Sequence, residues 1–283
     1  MPVQMKVPSF PFVAPVLRPV PAGAVAEARD GDLTSAGSWD ALWDGRGSGR
    51  LSRSLRERLG WSRQIDDTLA RLVALAAMGR PRIDILELGC APGTVIERLH
   101  RLGPRHRYAG IDLAPEGLEQ ARRRLAGLGI DADLHLGDLR DIEQPGADLV
   151  ISYGLIEHFD DPAEILGHHR RLARPGGRVA VTVPNYANPM VAALLARYSP
   201  DTLATHNLAI MNEGAIADAM TRAGLVDVSV GSAVGPLLPS SRVRPGFGGA
   251  TYRLAARAWN LGAGVLPQRL LWSGLVWGFG RAP

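Results

Sequence analysis

Five short apolar runs lie between residues 82 and 184, and helix-length stretches follow the first, the second and the fourth of them. They read RIDILEL (82–88), RYAGIDL (107–113), DADLHLGD (131–138), GADLVISYG (146–154) and RVAVTVP (178–184). Strands joined through helices run parallel, and a parallel sheet must be covered on both faces. This alternation predicts an α/β fold with a doubly wound sheet.

The connecting segments carry their own signals. SRQIDDTLARLVALAAM places Ile65, Leu69, Leu72, Val73 and Leu75 at helical spacing. GTVIERLHRL follows the first strand, and PEGLEQARRRLAGLG opens with Pro115 at a first-turn position. DDPAEILGHHRRLARPGG has Asp161 as an N-cap before Pro162 and stops at Pro175-Gly176-Gly177. His168 and His169 fall among charged residues there and are expected to be solvated.

After Pro184 the alternation is interrupted. An extra helix and loop occupy NPMVAALLARYSPDTLATHNLAIMNE before the helix EGAIADAMTRAGL; a sixth strand is expected at Val226–Val230 and a last one in SGLVWGFGRA. Gly235 to about Gln268 reads as an irregular insertion. The expected organisation is an N-terminal arm and lid helix (1–60), a binding core (61–185), a cap insertion with its helix (186–224), and C-terminal strands with a second insertion (225–283), all completing one domain.

Composition excludes several classes. The single cysteine, Cys90, allows neither an internal disulfide nor a thiolate metal cluster, and a reducing cytoplasm fits. The formal charge is only +4, and Lys6 is the sole lysine, a bias of GC-rich coding rather than of a partner. Basic residues in RHRYAG and ARRRL divide between a strand approach and a helix face, so no nucleic-acid partner is expected. Pro8, Pro11, Pro15, Pro19 and Pro21 break the early apolar run, which reads as an extended arm rather than a signal peptide. No run reaches the roughly 18–20 apolar residues of a membrane span, so no stable membrane insertion is expected.

The stretch ILELGCAPGT (85–94) passes directly from a strand into glycines at 89 and 93. A strand, a glycine turn and a helix start can serve a dinucleotide, a phosphate or an adenosyl ligand. The spacing is G-x-x-x-G with no following lysine, which disfavours a pyrophosphate cradle. Asp112 ends the second strand, where an acid can accept both hydroxyls of a ribose, and Asp138 follows the third, where it can accept from an adenine amino group. Acids on successive turns in this order point to an adenosyl ligand.

This set closely resembles the class I S-adenosylmethionine-dependent methyltransferases, of the small-molecule branch acting on antibiotics and quinones. ILELGCAPGT is similar to their first motif, YAGIDLAPEGLEQARRRL to the second and HLGDLRDI to the adenine-contacting segment. ADLVISYGLIEHFDDP and RLARPGGRVAVTVPN resemble the fourth and the strand-five motifs, and SWDALWDG the aromatic helix that closes over the cofactor. The resemblance implies a Rossmann-like seven-stranded sheet with a final antiparallel strand, S-adenosylmethionine as cofactor and S-adenosylhomocysteine as product. It places Glu87, Gly89, Cys90, Ala91 and Gly93 around the methionine part, Asp112 on the ribose, and Leu113, Asp138 and Leu139 at the adenine. Gly154 and Leu155 then line the sulfonium side, with Cys90 as packing rather than nucleophile.

Methyl transfer to a hydroxyl usually needs a base, whereas a neutral amine needs none. His158, just after strand four, and His206, in the insertion, are the candidates, with Tyr153 beside them. His158 also fits a loop-shaping role. Asn185, Tyr186, Trp39, Trp43 and His206 are the expected substrate contacts. Asp160 and Asp161 are explained by capping, so no metal is expected. The implied enzyme methylates nitrogen or oxygen of a hydrophobic small molecule, as monomer or homodimer; tailoring of a specialised metabolite such as an antibiotic fits, mitomycin-type N-methylation being one example. Trp259, Trp272 and Trp277 read by default as core, or else as an interfacial patch or pocket wall. A quinone or lipid methyltransferase at a membrane surface, and a non-catalytic cofactor-binding module, are the rival readings.

Overall fold

The computed structural model describes residues 28–35, 37–39, 61–103, 105–142, 146–240, 243–263 and 273–283. Trp43, Trp272 and most of the expected N-terminal arm lie outside the described residues. In chain order the elements are α1 (Trp61–Ala77), β1 (Asp84–Leu88), α2 (Thr94–Leu102), β2 (Arg107–Asp112), α3 (Pro115–Ala126), β3 (Ala132–Leu136) and β4 (Ala147–Tyr153). They continue with α4 (Pro162–Leu172), β5 (Ala173–Pro184), α5 (Pro189–Tyr198), α6 (Pro200–Ala204), α7 (Glu213–Arg222), β6 (Val226–Ala233), α8 (Phe247–Ala263) and β7 (Leu275–Arg281).

The seven strands lie in the order β3-β2-β1-β4-β5-β7-β6. The first five are parallel, and β7 runs antiparallel between β5 and β6. Alternation along each strand divides the core between the two faces. Leu86, Leu88, Val150, Val179 and Val181 pack with Ile165, Leu166, Ile216 and Met220 of α4 and α7. Ile85, Leu149, Ile151 and Ala180 pack with Leu69, Leu72, Ile96, Leu99 and Leu118 of α1, α2 and α3. The doubly wound expectation is met, and the order reverses between β1 and β4, where such sheets open a ligand crevice.

Two expectations are corrected. The second insertion is not wholly irregular: α8 takes 17 residues of it. Early glycines mask its periodicity, yet Gly249, Tyr252 and Ala256 fall on one buried face. His169 is not solvated but fully buried. Its Nδ1 donates to the Ile165 carbonyl at 2.8 Å, and its Nε2 accepts from Ser152 Oγ of β4 at 2.9 Å. Burial pushes this imidazole down to about 4, with the charge of His168 adding and the Ile165 bond opposing.

Because the folded pKa of His169 is depressed, the unfolded chain binds the proton first as pH falls. Stability is expected to be intact above about 6.5 and to drop by roughly 3 kcal/mol towards pH 4 from this group alone. Denaturant melts of the wild type and of His169→Gln between pH 4 and 7 measure it. A slope no shallower in the variant would assign the acid sensitivity elsewhere.

Candidate active site

The turn after β1 is shaped by close backbone approach. Gly89 and Gly93 have φ of 73° and 81°, the left-handed region that side chains disfavour. The amides of Gly89 and Cys90 donate to the Ile111 carbonyl at 2.9 and 3.2 Å, folding the turn over the end of β2. A Cβ on Gly110 would lie 2.7 Å from Cys90 Sγ, so a small residue on each side permits this packing.

This turn walls a cavity of about 250 Å³ at the crevice. Glu87, Gly89, Ala91, Asp112, Leu113, Asp138, Leu139, Gly154 and Leu155, all candidates from the sequence, are on its wall. Cys90 and Gly93 serve it from behind: Cys90 is buried, and Gly93 starts α2. Trp39, expected at the substrate, also lines this cavity.

Asp112 is held by two backbone amides, from Ala91 to Oδ2 at 2.8 Å and from Ala114 to Oδ1 at 2.9 Å. Glu87 is buried, and its Oε2 has no hydrogen-bond partner among the described residues. Burial and the charge of Asp112 raise its carboxyl well above the usual range, against a backbone hydrogen bond involving Ile96. A cationic group entering the cavity would relieve it.

Asp138 is more engaged than the sequence suggests. Burial pushes its carboxyl up, but hydrogen bonds and charge from Arg140, with the charge of Arg29, hold it below the usual range. Arg140 reaches Asp138 at 2.6 Å and Asp32 at 2.8 Å, while Arg29 pairs with Asp141 at 2.6 Å and Asp138 at 3.3 Å. Gly31 and Leu33 also make backbone hydrogen bonds to Asp160 and His158. The described part of the arm is thereby bound to the loops that floor the cavity. Trp39 donates to Thr34 Oγ1 at 3.1 Å and meets the His158 ring edge-on at 4.7 Å.

A second cavity of about 400 Å³ adjoins the first, and Tyr153, Gly154 and His158 line both. Asn185, Tyr186 and His206 line the second only, beside Leu237, Leu238 and Pro239 from the second insertion. His158 and His206, 48 residues apart, have ring centroids at 4.4 Å, and Tyr186 stands 5.3 Å from His206. Burial pushes the Tyr153 phenol above its usual range, which suits a donor rather than a base.

Sequence reasoning passed over two residues here. Glu157 is 1 % exposed, lines the second cavity, and has Oε2 without a hydrogen-bond partner among the described residues. Burial pushes it up to about 8, against a backbone hydrogen bond. Asn207 ties the insertion to the β4 turn, its amide donating to Glu157 O at 2.7 Å and its side chain to Phe159 O and Asp160 O at 3.2 Å. Adjacency to His158 and His206 was the available signal for both. Asp161 caps α4 through the Ala163 amide at 3.0 Å, as expected. Trp259 and Trp277 are partly buried; Trp259 donates to Pro236 O at 2.8 Å and Trp277 lies in β7.

Residues 85–177 match the family described as a methyltransferase domain. An uncharacterized 37.1 kDa protein in transposon TN4556 of Streptomyces fradiae is 37% identical over 110 residues, covering 38% of this chain and 32% of that protein. A ubiquinone biosynthesis O-methyltransferase of Xanthomonas euvesicatoria pv. vesicatoria is 34% identical over 104 residues, covering 36% and 43%. The chain thus spans less than half the length of these curated relatives. An O-methyltransferase family protein from Burkholderia thailandensis shares the fold, with TM-score 0.53 and 19% identity over 87% of this chain and 62% of that one.

Proposed function

The chain carries a class I S-adenosylmethionine-dependent methyltransferase domain, and from that premise we propose that it moves a methyl group to oxygen or nitrogen of a hydrophobic small molecule. One observation carries this reading: the adenosyl-type cavity and the second cavity, where Leu237, Leu238 and Pro239 stand beside polar groups, share the wall of Tyr153, Gly154 and His158. When bound, S-adenosylmethionine supplies a methyl group on a sulfonium, which is a very good leaving group.

The residues present fit it. Asp112 would accept from the ribose hydroxyls, Leu113, Asp138 and Leu139 would hold the adenine, and Glu87, whose Oε2 has no hydrogen-bond partner among the described residues, would face the ammonium. Gly154 and Leu155 close the cavity next to the acceptor side. The main contribution of the chain is alignment and exclusion of water, which can be worth several kcal/mol. His158 and His206 activate an acceptor hydroxyl, while a neutral amine would need only placement.

Tailoring of a specialised metabolite agrees with the cavity formed by insertion residues. The ubiquinone-pathway relatives, and the exposed Phe247 and Leu254 on α8, favour a quinol reached at a membrane surface as the second reading. Among the described residues no helix is long and apolar enough to cross a membrane.

Calorimetry with S-adenosylhomocysteine, followed by labelled-methyl transfer to hydroxylated aromatics, quinols and hydrophobic amines, tests the proposal. One-site binding and label in an organic extract are expected. Absence of binding would overturn the cofactor assignment, and binding without transfer to any acceptor would leave a non-catalytic module.

A further inference from the structure

Glu157, His158 and His206 converge on the second cavity, and one ligand atom from each lies within 4.8 Å of the others. We propose that these three side chains bind a divalent transition-metal ion of the zinc class, which presents its open positions to an oxygen of the acceptor. The inference deepens the methyltransferase reading and rests on it for the role of the ion, though not for the site itself.

The donor set is the first argument. Two imidazoles and a carboxylate are a recurrent three-ligand set for zinc and for iron(II), whereas magnesium and calcium prefer all-oxygen sites. At bond lengths near 2.0–2.1 Å, ligand atoms on a tetrahedral ion stand roughly 3.3 Å apart. Small side-chain rotations would close the present spacing.

Thr205 supplies the second argument. The Nδ1–H of His158 donates to the Thr205 carbonyl at 2.6 Å, which puts the ring's lone pair on Nε2. His206 Nδ1 lies 3.1 Å from Thr205 Oγ1, and that hydroxyl in turn donates to Asp201 O at 3.1 Å or Thr202 O at 3.2 Å. With its hydrogen so used, the hydroxyl accepts from His206 Nδ1–H and leaves the lone pair at Nε2. One residue thus sets both rings in the tautomer that ligates, as outer-shell partners of metal-bound histidines do.

Glu157 completes the set. Its Oε2 is buried without a hydrogen-bond partner among the described residues, on the wall of the cavity where both histidines stand. Such a carboxylate is costly unless paired or coordinating. A cation between the three groups removes that cost. An acceptor with neighbouring oxygens, such as a catechol or hydroxyquinone, suits such an ion when it expands from four to five ligands.

The test uses tag-free, EDTA-treated full chain titrated with Co²⁺, followed by visible absorption, with S-adenosylhomocysteine binding measured on the same sample. About one Co²⁺ per chain is expected, displaced by Zn²⁺. Glu157→Gln and His206→Ala should each weaken uptake at least about tenfold while circular dichroism and S-adenosylhomocysteine binding persist. No uptake by a chain that binds S-adenosylhomocysteine overturns the site alone, as does uptake unchanged in both variants. Stoichiometric, variant-sensitive uptake without S-adenosylhomocysteine binding supports the site and overturns the methyltransferase reading instead.

Discussion

Asp112→Ala should lower the affinity for S-adenosylhomocysteine by one to several orders of magnitude. Two charge-assisted hydrogen bonds to a ribose diol are lost, each worth about 1.5–3 kcal/mol, and about 1.4 kcal/mol corresponds to tenfold. The same carboxylate also fixes Ala91 and Ala114, so the turn after β1 loses its anchor in the variant. Asp112→Asn separates these contributions, since the amide keeps one acceptor oxygen and the side-chain shape. Calorimetry on both variants, with melting curves as a fold control, should rank them wild type, Asn, Ala. Affinity unchanged in the alanine variant would remove Asp112 from the cofactor site.

The largest effect on turnover is expected at His206 and His158. With a hydroxyl acceptor, alanine at either position should reduce kcat by about 10²–10⁴, with S-adenosylhomocysteine affinity altered little at His206. His158 also touches Trp39 on the cofactor cavity, so His158→Ala should weaken cofactor binding as well. With an amine that is neutral at working pH, both losses should shrink and fall mainly on KM. Steady-state kinetics at several pH values distinguishes the two acceptor types. Direct proton transfer to an imidazole and activation through a bound ion predict the same loss on substitution, but only the second is abolished by chelator in the wild type. Full activity in both variants would move the acceptor towards Tyr153 and Tyr186.

The parts of the molecule legible in the sequence are those fixed by short-range rules. Strand runs, the G-x-x-x-G turn, Asp112 two residues from Ala114 and the Asp161 cap are set within a few residues of themselves. His169 was readable too, because Ile165, Leu166 and Leu172 share its helical phase, but its charged neighbours conceal this. What eluded sequence reasoning depends on long closures. Glu157 and His206 meet because Asn207 fastens the insertion to the β4 turn, and nothing in either segment alone announces that. Arg140 joining Asp32 to Asp138 spans 108 residues in one of its contacts. α8 was obscured by glycines that lower helix propensity until tertiary packing overrides it.

Arg29 and Arg140 tie residues 28–35 to Asp138 on the wall of the first cavity, and Trp39 also stands on that wall. Binding linkage makes such an arrangement reciprocal. Whatever free energy the docked arm adds to retention of a ligand beneath it, that ligand returns in full to the docking of the arm. Arg29 is 46% exposed, so part of this mutual hold is open to screening by salt. Ionic strength therefore acts on ligand residence time at a distance from any charge the ligand itself carries.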